Sequence, residues 1–322
     1  MQPHPGVPGT LRWRPLPIDP QSRLFPDLLP WTSLLMTYYR TAIVDDLKIF
    51  YREAGDPSHP TLLLLHGFPA SSFMYRDLIA RLSHRFHLVA PDYPGFGHSD
   101  APSTDAFSYT FDRLSEVIER FAEQLGLDRY GLYMQDFGGP VGLRIASRRP
   151  ERVSFLVVQN ANAYEEGLPD SFWGPVRELW RDPSPARYEK IREAGMSAAA
   201  LEWNYTHGVR DVERIDPDSW LLQRALLERP GNKDAMLALL YDYGSNPGRY
   251  PAWQAYFRAH QPPTLVVWGK NDAIFPPSGA YPYQRDLKLV DFNVLETGHF
   301  ALEDHGEVIA AHIERFHGTL SA

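Results

Sequence analysis

Short runs of apolar residues alternate with helical patterns along most of this 322-residue chain. The runs at residues 61–65, 130–134 and 155–158 are shorter than ordinary helices and end at polar residues, as buried strands do. Residues 111–125, in contrast, carry apolar side chains at helical spacing. This alternation predicts a mostly parallel central sheet with helices on both faces. Further predicted elements are strands at 47–53, 86–90, 264–268 and 291–295 and helices at 140–147 and 308–316.

The alternation is interrupted once. From residue 162 to 259 the pattern becomes helical and rich in aromatic residues, with prolines at the breaks, and strand-like runs resume only afterwards. We therefore predict one α/β core, formed by residues 39–161 and 260–322, with residues 162–259 as a helical insertion.

The first 38 residues differ in character from the rest of the chain. They contain eight prolines, with large apolar side chains such as Trp13, Phe25 and Trp31 between them. Proline fixes φ and lacks an amide donor, so the segment is neither a helix nor a central strand. We predict that residues 1–38 form an ordered, extended arm that packs on the core or across a subunit interface, which leaves a homodimer open. A mobile tail is the alternative interpretation.

Composition excludes several classes of function. The chain has no cysteine, so disulfides, thiolate metal sites and a cysteine nucleophile are ruled out. A net charge of -8 disfavours nucleic acid as a partner. No apolar run approaches the roughly 20 residues that cross a bilayer, and no signal peptide is visible. The expectation is a cytoplasmic protein without a membrane partner.

One predicted strand runs straight into Asp136, and a helix is predicted to begin a few residues later. A side chain on such a sharp turn projects from the sheet edge, which suits a nucleophile. Gly138 and Gly139 supply the small residues that a strained turn needs. The usual pattern has glycine two residues before the nucleophile; this chain has Met134, which must fit without crowding the turn. An aspartate that only caps the helix is the alternative interpretation.

Three other segments with polar residues also follow predicted strands. Residues 66–69 follow one buried strand, Asp272 follows the strand after the insertion, and His299 follows the last strand. The carboxyl ends of parallel strands lie at one edge of a sheet, where catalytic groups of open α/β sheets are found. We therefore predict that Asp136, Asp272 and His299 form one site.

These motifs resemble those of α/β-hydrolases of the epoxide hydrolase and haloalkane dehalogenase group, from about residue 40 to the C-terminus. The segments that carry the resemblance are residues 66–69, 92–99, 135–139, 269–272 and 298–300. The chain order of nucleophile, acid and histidine is also that of α/β-hydrolases. The resemblance implies that Asp136 is the nucleophile, His299 the base and Asp272 the residue that orients the base. It also implies that residues 162–259 form a helical cap over the active site.

A carboxylate nucleophile suits displacement at a saturated carbon and forms a covalent alkyl-enzyme ester. Water activated by His299 would then attack the ester carbonyl, which belongs to Asp136. The backbone N–H groups of Phe68 and Phe137 would hold the resulting oxyanion. This chemistry needs a small apolar electrophile and water, and neither a metal nor an organic cofactor.

The leaving group separates two substrate classes. An epoxide opens to an alkoxide, which needs an O–H donor, whereas a halide needs indole or amide N–H donors. Haloalkane dehalogenases that resemble this chain usually have tryptophan at the position of Phe137 and often asparagine at the position of Phe68. The arginines with which fluoroacetate dehalogenases hold a carboxylate are also missing around Asp136. The prediction therefore favours hydrolysis of an epoxide to a diol, with hydrolytic dehalogenation as the alternative.

The resemblance suggests that tyrosines of the cap donate the proton to an epoxide oxygen. The candidates are Tyr241, Tyr243, Tyr188 and Tyr205. The first two lie shortly before the strand that ends in Asp272, where the resemblance implies one donor. Trp203 and His207 could instead bind a halide. A hydrolase-like binding protein without turnover is a second alternative, against which the intact Asp–His–Asp set argues.

Overall fold

The computed structural model describes residues 36–320, and its centre is an eight-stranded sheet. The strands are β1 (Tyr38–Val44), β2 (Leu47–Ala54), β3 (Thr61–Leu65), β4 (His87–Pro91), β5 (Tyr130–Gln135), β6 (Val153–Gln159), β7 (Thr264–Gly269) and β8 (Val290–Leu295). Their order across the sheet is β1-β2-β4-β3-β5-β6-β7-β8. β2 pairs antiparallel with β1 and β4, and the other pairs are parallel. The predicted mostly parallel sheet is therefore confirmed.

Helices connect the strands and fill the long segment between β6 and β7. The α-helices are α1 (Arg76–Leu82), α2 (Phe111–Gln124), α3 (Gly138–Arg148), α4 (Asp170–Arg181), α5 (Pro185–Met196), α6 (Ala198–Thr206), α7 (Asp218–Leu227), α8 (Asn232–Asp242), α9 (Tyr250–His260), α10 (Tyr283–Asp286) and α11 (Leu302–Leu320). Single 3₁₀ turns cover Ser72–Tyr75, Pro150–Arg152, Glu165–Gly167, Val212–Arg214, Tyr243–Ser245, Pro247–Arg249 and Pro277–Gly279. In the described part of the chain, none of these helices has both the length and the apolarity that a membrane crossing requires.

The hydrophobic core divides into two layers because successive residues of a strand point to opposite faces of the sheet. Leu63 belongs to a buried cluster that includes Phe121 of α2, whereas Leu64 belongs to a second cluster that includes Ile313 of α11. Burying one such side chain fully contributes about 1.5–3 kcal/mol relative to leaving it exposed. Helices therefore cover both faces, as predicted.

The edge strand β1 was not predicted. Only Ala42 and Val44 among its residues are buried, so its sequence lacks the alternation that marks a half-buried strand. The strand is fixed instead by its hairpin with β2. Asp45 and Asp46 form the turn with φ angles of 49° and 63°, a conformation that aspartate tolerates. Tyr38, which we assigned to the arm, begins β1; residues 1–35 of the predicted arm lie outside the described residues.

Two helical segments differ from the sequence prediction. The turn and helix over residues 72–82 were not predicted; the hydroxyl of Ser71 accepts a hydrogen bond at their start. The last helix begins at Leu302, six residues before the predicted start. The helix is kinked at His305, whose φ and ψ of -117° and 15° are not helical, and this break with Gly306 obscures the periodicity of the first turn.

Hydrogen bonds connect the segment between β6 and β7 to the core. The guanidinium of Arg229 donates to the carbonyl oxygen of Gly97 over 2.7 Å, and the indole N–H of Trp173 donates to that of Ile274 over 2.9 Å. Trp173 and Ile274 both line a cavity that also contains Asp136. The helical segment therefore lies over the carboxyl ends of the strands.

Candidate active site

Asp136 is the first of the two residues between β5 and α3, and its φ of 49° lies in the left-handed region. A residue other than glycine seldom adopts this conformation, and functional turns are one place where it persists. Neighbouring glycines make the turn possible. A Cβ atom on Gly138 would lie 2.1 Å from the carbonyl oxygen of Leu65, and one on Gly67 would lie 2.3 Å from Cβ of Asp136. The turn thus holds a buried carboxylate at the edge of the sheet.

Met134 stands at the position where glycine is usual, and it fits because the residue that faces it on α3, Gly142, is small. The methionine side chain is fully buried. A Cβ atom on Gly142 of α3 would lie 2.5 Å from the sulfur of Met134. Gly142 therefore provides the space that Met134 occupies, and the turn is not crowded.

The carboxylate of Asp136 meets the two predicted backbone donors. The N–H of Phe68 donates to Oδ1 of Asp136 over 2.6 Å, and the N–H of Phe137 also interacts with the carboxylate. Burial raises the pKa of Asp136 to about 6, although the charge of His299 and the two N–H groups act to lower it.

His66 stabilises the turn that carries Phe68. Its Nδ1 lies 3.1 Å from the carbonyl oxygen of Gly67, and its Nε2 accepts a hydrogen bond from the N–H of Tyr93 over 3.4 Å. Burial lowers the pKa of His66 to about 4, so the ring is neutral near pH 7. We infer a structural role for this histidine.

The ring of His299 lies between two carboxylates. Its Nδ1–H donates to Oδ2 of Asp272 over 2.7 Å, and its Nε2 lies 3.7 Å from Oδ2 of Asp136. Burial disfavours the charged ring, but the nearby Asp272 and Asp136 outweigh this effect and raise the pKa of His299. The structure therefore brings the three residues together at the ends of β5, β7 and β8.

Asn160, which follows β6, is a residue of this site that sequence reasoning missed. Its Nδ2 donates to Oδ2 of Asp272 over 2.7 Å. Asp272 accepts further hydrogen bonds from the backbone N–H groups of Ile274 and Phe275. These N–H donors fix the orientation of the carboxylate beside His299. The signal that could have found Asn160 is its position, directly after a strand as for Asp136.

Gln135, the last residue of β5, was also missed. Its amide Nε2 lies 2.9 Å from Nε2 of His299. This is the ring nitrogen that faces Asp136.

A cavity of about 330 Å³ opens above Asp136. Its walls are mainly aromatic and aliphatic, and its aromatic members are Phe68, Phe137, Phe172, Trp173 and Trp203. Among the described residues that line it, Asp136 is the only charged one, and Ser171 and Asn204 are polar. A concave apolar cavity with few polar groups suits a small uncharged ligand.

The structure brings none of the four candidate tyrosines into the lining of this cavity, and all four lie within the described residues. Tyr241 is 40% exposed and packs against Tyr188. Tyr205 stacks on Phe300, with ring centroids 4.0 Å apart, in the core layer that includes α11. Of the four, only Tyr243 packs directly behind the cavity wall.

Tyr243 stacks on Trp173 with ring centroids 4.5 Å apart and lies 5.9 Å from the ring of Phe137. Its buried hydroxyl makes no hydrogen bond of standard geometry with the described residues, although it interacts with Tyr250. Burial, Tyr250 and the charge of Asp136 together raise the pKa of Tyr243. The phenol is thus neutral and lies within electrostatic range of Asp136.

Trp203 and Asn204 of α6 line the cavity side by side. The Trp203 ring stacks between Phe172 and His207, so His207 lies behind the tryptophan. Asn204 donates one amide hydrogen to the carbonyl oxygen of Ala200 over 2.7 Å and retains the other. Two residues of the cavity wall therefore have side chains that contain N–H groups.

This fold and site define the class of the protein. A family model described as alpha/beta hydrolase fold matches residues 60–306, which is more than half of the chain. The chain therefore belongs to the α/β-hydrolase superfamily.

Curated relatives narrow this assignment. The chain is 40% identical to an uncharacterized hydrolase of Saccharomyces cerevisiae, over 88% of this chain and 97% of that protein. It is 32% identical to haloalkane dehalogenase 2 of Mycobacterium tuberculosis, over 84% of this chain and 91% of that enzyme. The protein is thus a hydrolase of the haloalkane dehalogenase-like group.

Solved structures show the same fold. Cfl2 from Burkholderia cenocepacia matches with a TM-score of 0.72 and 25% identity, over 86% of this chain and 95% of that one. A loop variant of haloalkane dehalogenase DbeA from Bradyrhizobium elkanii matches with a TM-score of 0.72 and 22% identity, over 89% and 99% of the two chains. The second likeness, at its low identity, shows the fold alone.

Proposed function

We propose that the protein hydrolyses a small uncharged electrophile in two steps, through an ester of Asp136. The observation that carries this proposal is the position of Asp136 at an apolar cavity, with the N–H of Phe68 on one oxygen and His299, bonded to Asp272, beside the other. Residues 162–259 would form the cap that covers the reaction.

In the first step, Oδ2 of Asp136 attacks a saturated carbon of the substrate. The new C–O bond forms as the bond to the leaving atom breaks, and the electron pair goes to that atom. Oδ2 is the reacting oxygen because Oδ1 accepts the hydrogen bond from Phe68. Oδ1 then becomes the carbonyl oxygen of the ester.

In the second step, Nε2 of His299 takes a proton from water, and the water oxygen bonds to Cγ of Asp136. The negative charge that develops on Oδ1 is stabilised by the N–H groups of Phe68 and Phe137. Asp272 stabilises the imidazolium and fixes its tautomer. Collapse of the intermediate breaks the bond between Cγ and the alkyl oxygen, and His299 returns its proton to the departing alkoxide. The second proton of the water stays on the new carboxyl of Asp136 until it passes to solvent or to the tyrosinate left by epoxide opening, which restores the carboxylate.

An epoxide is the substrate class that we propose first. Its ring oxygen becomes an alkoxide on opening and needs a neutral O–H donor. Tyr243 supports this assignment, because its hydroxyl is neutral, buried and within electrostatic range of Asp136. Tyr243 lies behind Trp173 and Phe137. Proton donation to the epoxide therefore requires its hydroxyl to reach the cavity between these two rings.

Hydrolytic dehalogenation is the second candidate, and the observation that favours it is the pair Trp203 and Asn204 on the cavity wall. An indole and a carboxamide N–H suit a departing halide. The relative from Mycobacterium tuberculosis, named haloalkane dehalogenase 2, also supports it.

A turnover panel tests the proposal. Small epoxides and haloalkanes of matched carbon skeleton would be incubated with the protein, with diol measured by mass spectrometry and halide by ion release. We expect diol formation, with slower halide release or none. Halide release with inert epoxides would reverse the order of the two candidates. Binding of both sets without any product would instead support a non-catalytic binding protein.

A further inference from the structure

Gln135 contacts the ring nitrogen on which the proposed second step depends. Its side chain is fully buried at the end of β5, and its Nε2 lies 2.9 Å from Nε2 of His299. The other end of the amide, Oε1, is buried and has no hydrogen-bond partner within residues 36–320. A buried carbonyl oxygen without a partner is costly, so its retention beside a reactive group calls for an explanation.

The hydrogen bond between Gln135 and His299 has a defined donor and acceptor. Nδ1 of His299 lies 2.7 Å from Oδ2 of Asp272, which fixes the proton of the neutral ring on Nδ1. Nε2 then carries a lone pair and accepts a hydrogen bond from the amide N–H of Gln135. This arrangement suits the neutral ring alone, because an imidazolium has an N–H on Nε2 and an amide nitrogen accepts no hydrogen bond.

The charged ring needs an acceptor at the same place. Oδ2 of Asp136 is 3.7 Å from Nε2, beyond hydrogen-bond distance, and it becomes an ester oxygen during the reaction. A half-turn of the terminal amide of Gln135 would exchange its nitrogen and oxygen, which are similar in size. Oε1 would then accept from the imidazolium.

We propose that Gln135 is a positioning residue that serves both protonation states of His299, donating to the neutral ring and accepting from the charged ring after its amide turns. The inference rests on the proposed function, because it assigns His299 as the base of ester hydrolysis. The proton from water moves to Nε2 as the hydroxyl oxygen bonds to Cγ of Asp136. Nε2 has one lone pair, so the amide N–H must leave it before water can give up its proton there; the amide turn therefore precedes the transfer and breaks no covalent bond.

Other groups near the ring do not supply this acceptor. Asp272 accepts the hydrogen bond from Nδ1, and Asp136 is the group that reacts in the proposed mechanism. His207, at the end of α6, lines the same narrow cleft as His299. Unlike His299 it is exposed, and its ring stacks on Trp203. Gln135 is therefore the side chain available to Nε2 through both steps.

The experiment resolves the two steps in Gln135→Leu and Gln135→Glu. Rapid-quench mass spectrometry of the intact protein, with a reactive epoxide and a haloalkane, would measure ester formation and ester breakdown separately at several pH values. Gln135→Leu should form the ester within about threefold of the wild-type rate. Breakdown should slow about 10- to 100-fold, the effect of losing a hydrogen bond to a charged group.

Gln135→Glu supplies an acceptor with a negative charge, which favours the imidazolium. The acidic limb of its breakdown rate should therefore move to higher pH, as the contact of residue 135 with Nε2 requires. The readout that a purely structural role would not give is the selective slowing of breakdown in Gln135→Leu. Gln223→Leu is the matched control, since Gln223 is also buried and its amide donates to Ser71 instead. If Gln135→Leu does not fold, Gln135→Met preserves side-chain length and carries the same expectation for breakdown.

Breakdown within threefold of wild type in the leucine or methionine variant, or equal slowing of both steps, would overturn the inference. An unmoved acidic limb in Gln135→Glu would overturn it as well. Failure of the proposed function looks different, because no ester on Asp136 would then form in any variant, wild type included.

Discussion

The Nε2 atom of His299 lies 3.7 Å from Oδ2 of Asp136, close enough for strong electrostatic attraction and too far for a hydrogen bond. The proposed nucleophile is therefore not hydrogen-bonded to the proposed base. Each residue nevertheless shifts the pKa of the other, since His299 lowers the pKa of Asp136 and Asp136 raises that of His299.

This coupling changes when the ester forms, because esterification removes the charge of Asp136. The pKa of His299 should then fall, which makes the ring a neutral base at the step that needs one. Asp136→Asn imitates the uncharged ester, so we expect the pKa of His299 to be lower in this variant than in wild type. NMR titration of the ring, assigned with His299→Gln, measures it. Asp291→Asn, at a distant ion pair with Arg315, is the control and should leave His299 unchanged. An equal or higher pKa in Asp136→Asn would contradict the coupling.

Ester formation should depend on the ionisation of Asp136. Only the carboxylate attacks, and burial raises its pKa to about 6. The single-turnover rate of ester formation should therefore be high above pH 6 and fall as the pH drops through this value, because protonation removes the nucleophile. A rate that stays flat from about pH 7 to pH 4.5 on a stable protein would exclude a pKa raised by burial.

The leaving group can be assigned with two conservative variants. Tyr243→Phe removes one hydroxyl and retains the ring that packs on Trp173, so epoxide turnover should fall by about 10²- to 10⁴-fold if this group donates the proton. Haloalkane turnover, where present, should change little. Trp203→Phe keeps an aromatic ring on Phe172 and should instead slow halide release about 10- to 100-fold. Unchanged epoxide turnover in Tyr243→Phe would remove this tyrosine from the mechanism.

Gly142 and Met134 should be coupled in stability. In Gly142→Ala the new Cβ would lie 2.5 Å from the sulfur of Met134, and overpacking of this kind costs about 1–3 kcal/mol. Met134→Ala in the same chain removes the clash, so the double variant should lose less stability than the sum of the two single changes. Urea unfolding of the four proteins measures the coupling free energy. Strictly additive losses would show that α3 shifts away at little cost.

Much of the parallel sheet and the meeting of the three candidate catalytic residues at one sheet edge could be predicted from sequence. Each of β3, β5 and β7 is a run of buried residues that ends at a motif, and the strand ends of a parallel sheet necessarily meet at one edge. The turn at Asp136 was predictable for the same reason, since Gly138 and Gly139 mark it in the chain.

The rest depends on contacts that sequence spacing does not encode. Asn160 and Gln135 bond to Asp272 and His299 across distances of more than 100 residues in the chain, and polar residues at strand ends have many other uses. The tyrosines could not be ranked, because whether a helix turns a phenol toward a cavity depends on how α5, α6 and α8 pack. β1 was missed because an exposed edge strand shows no alternation.

The central claim is that Asp136 forms a covalent ester, and a mass measurement on His299→Gln tests it most directly. Asp136 needs no base in order to attack, so this variant should still be alkylated by a reactive epoxide or haloalkane, while hydrolysis of the ester stops. We expect a stable adduct equal in mass to the added substrate fragment, located by peptide mapping on the peptide that contains Asp136 and absent from His299→Gln carrying Asp136→Ala. An adduct on another residue, or full turnover in Asp136→Ala, would contradict the account.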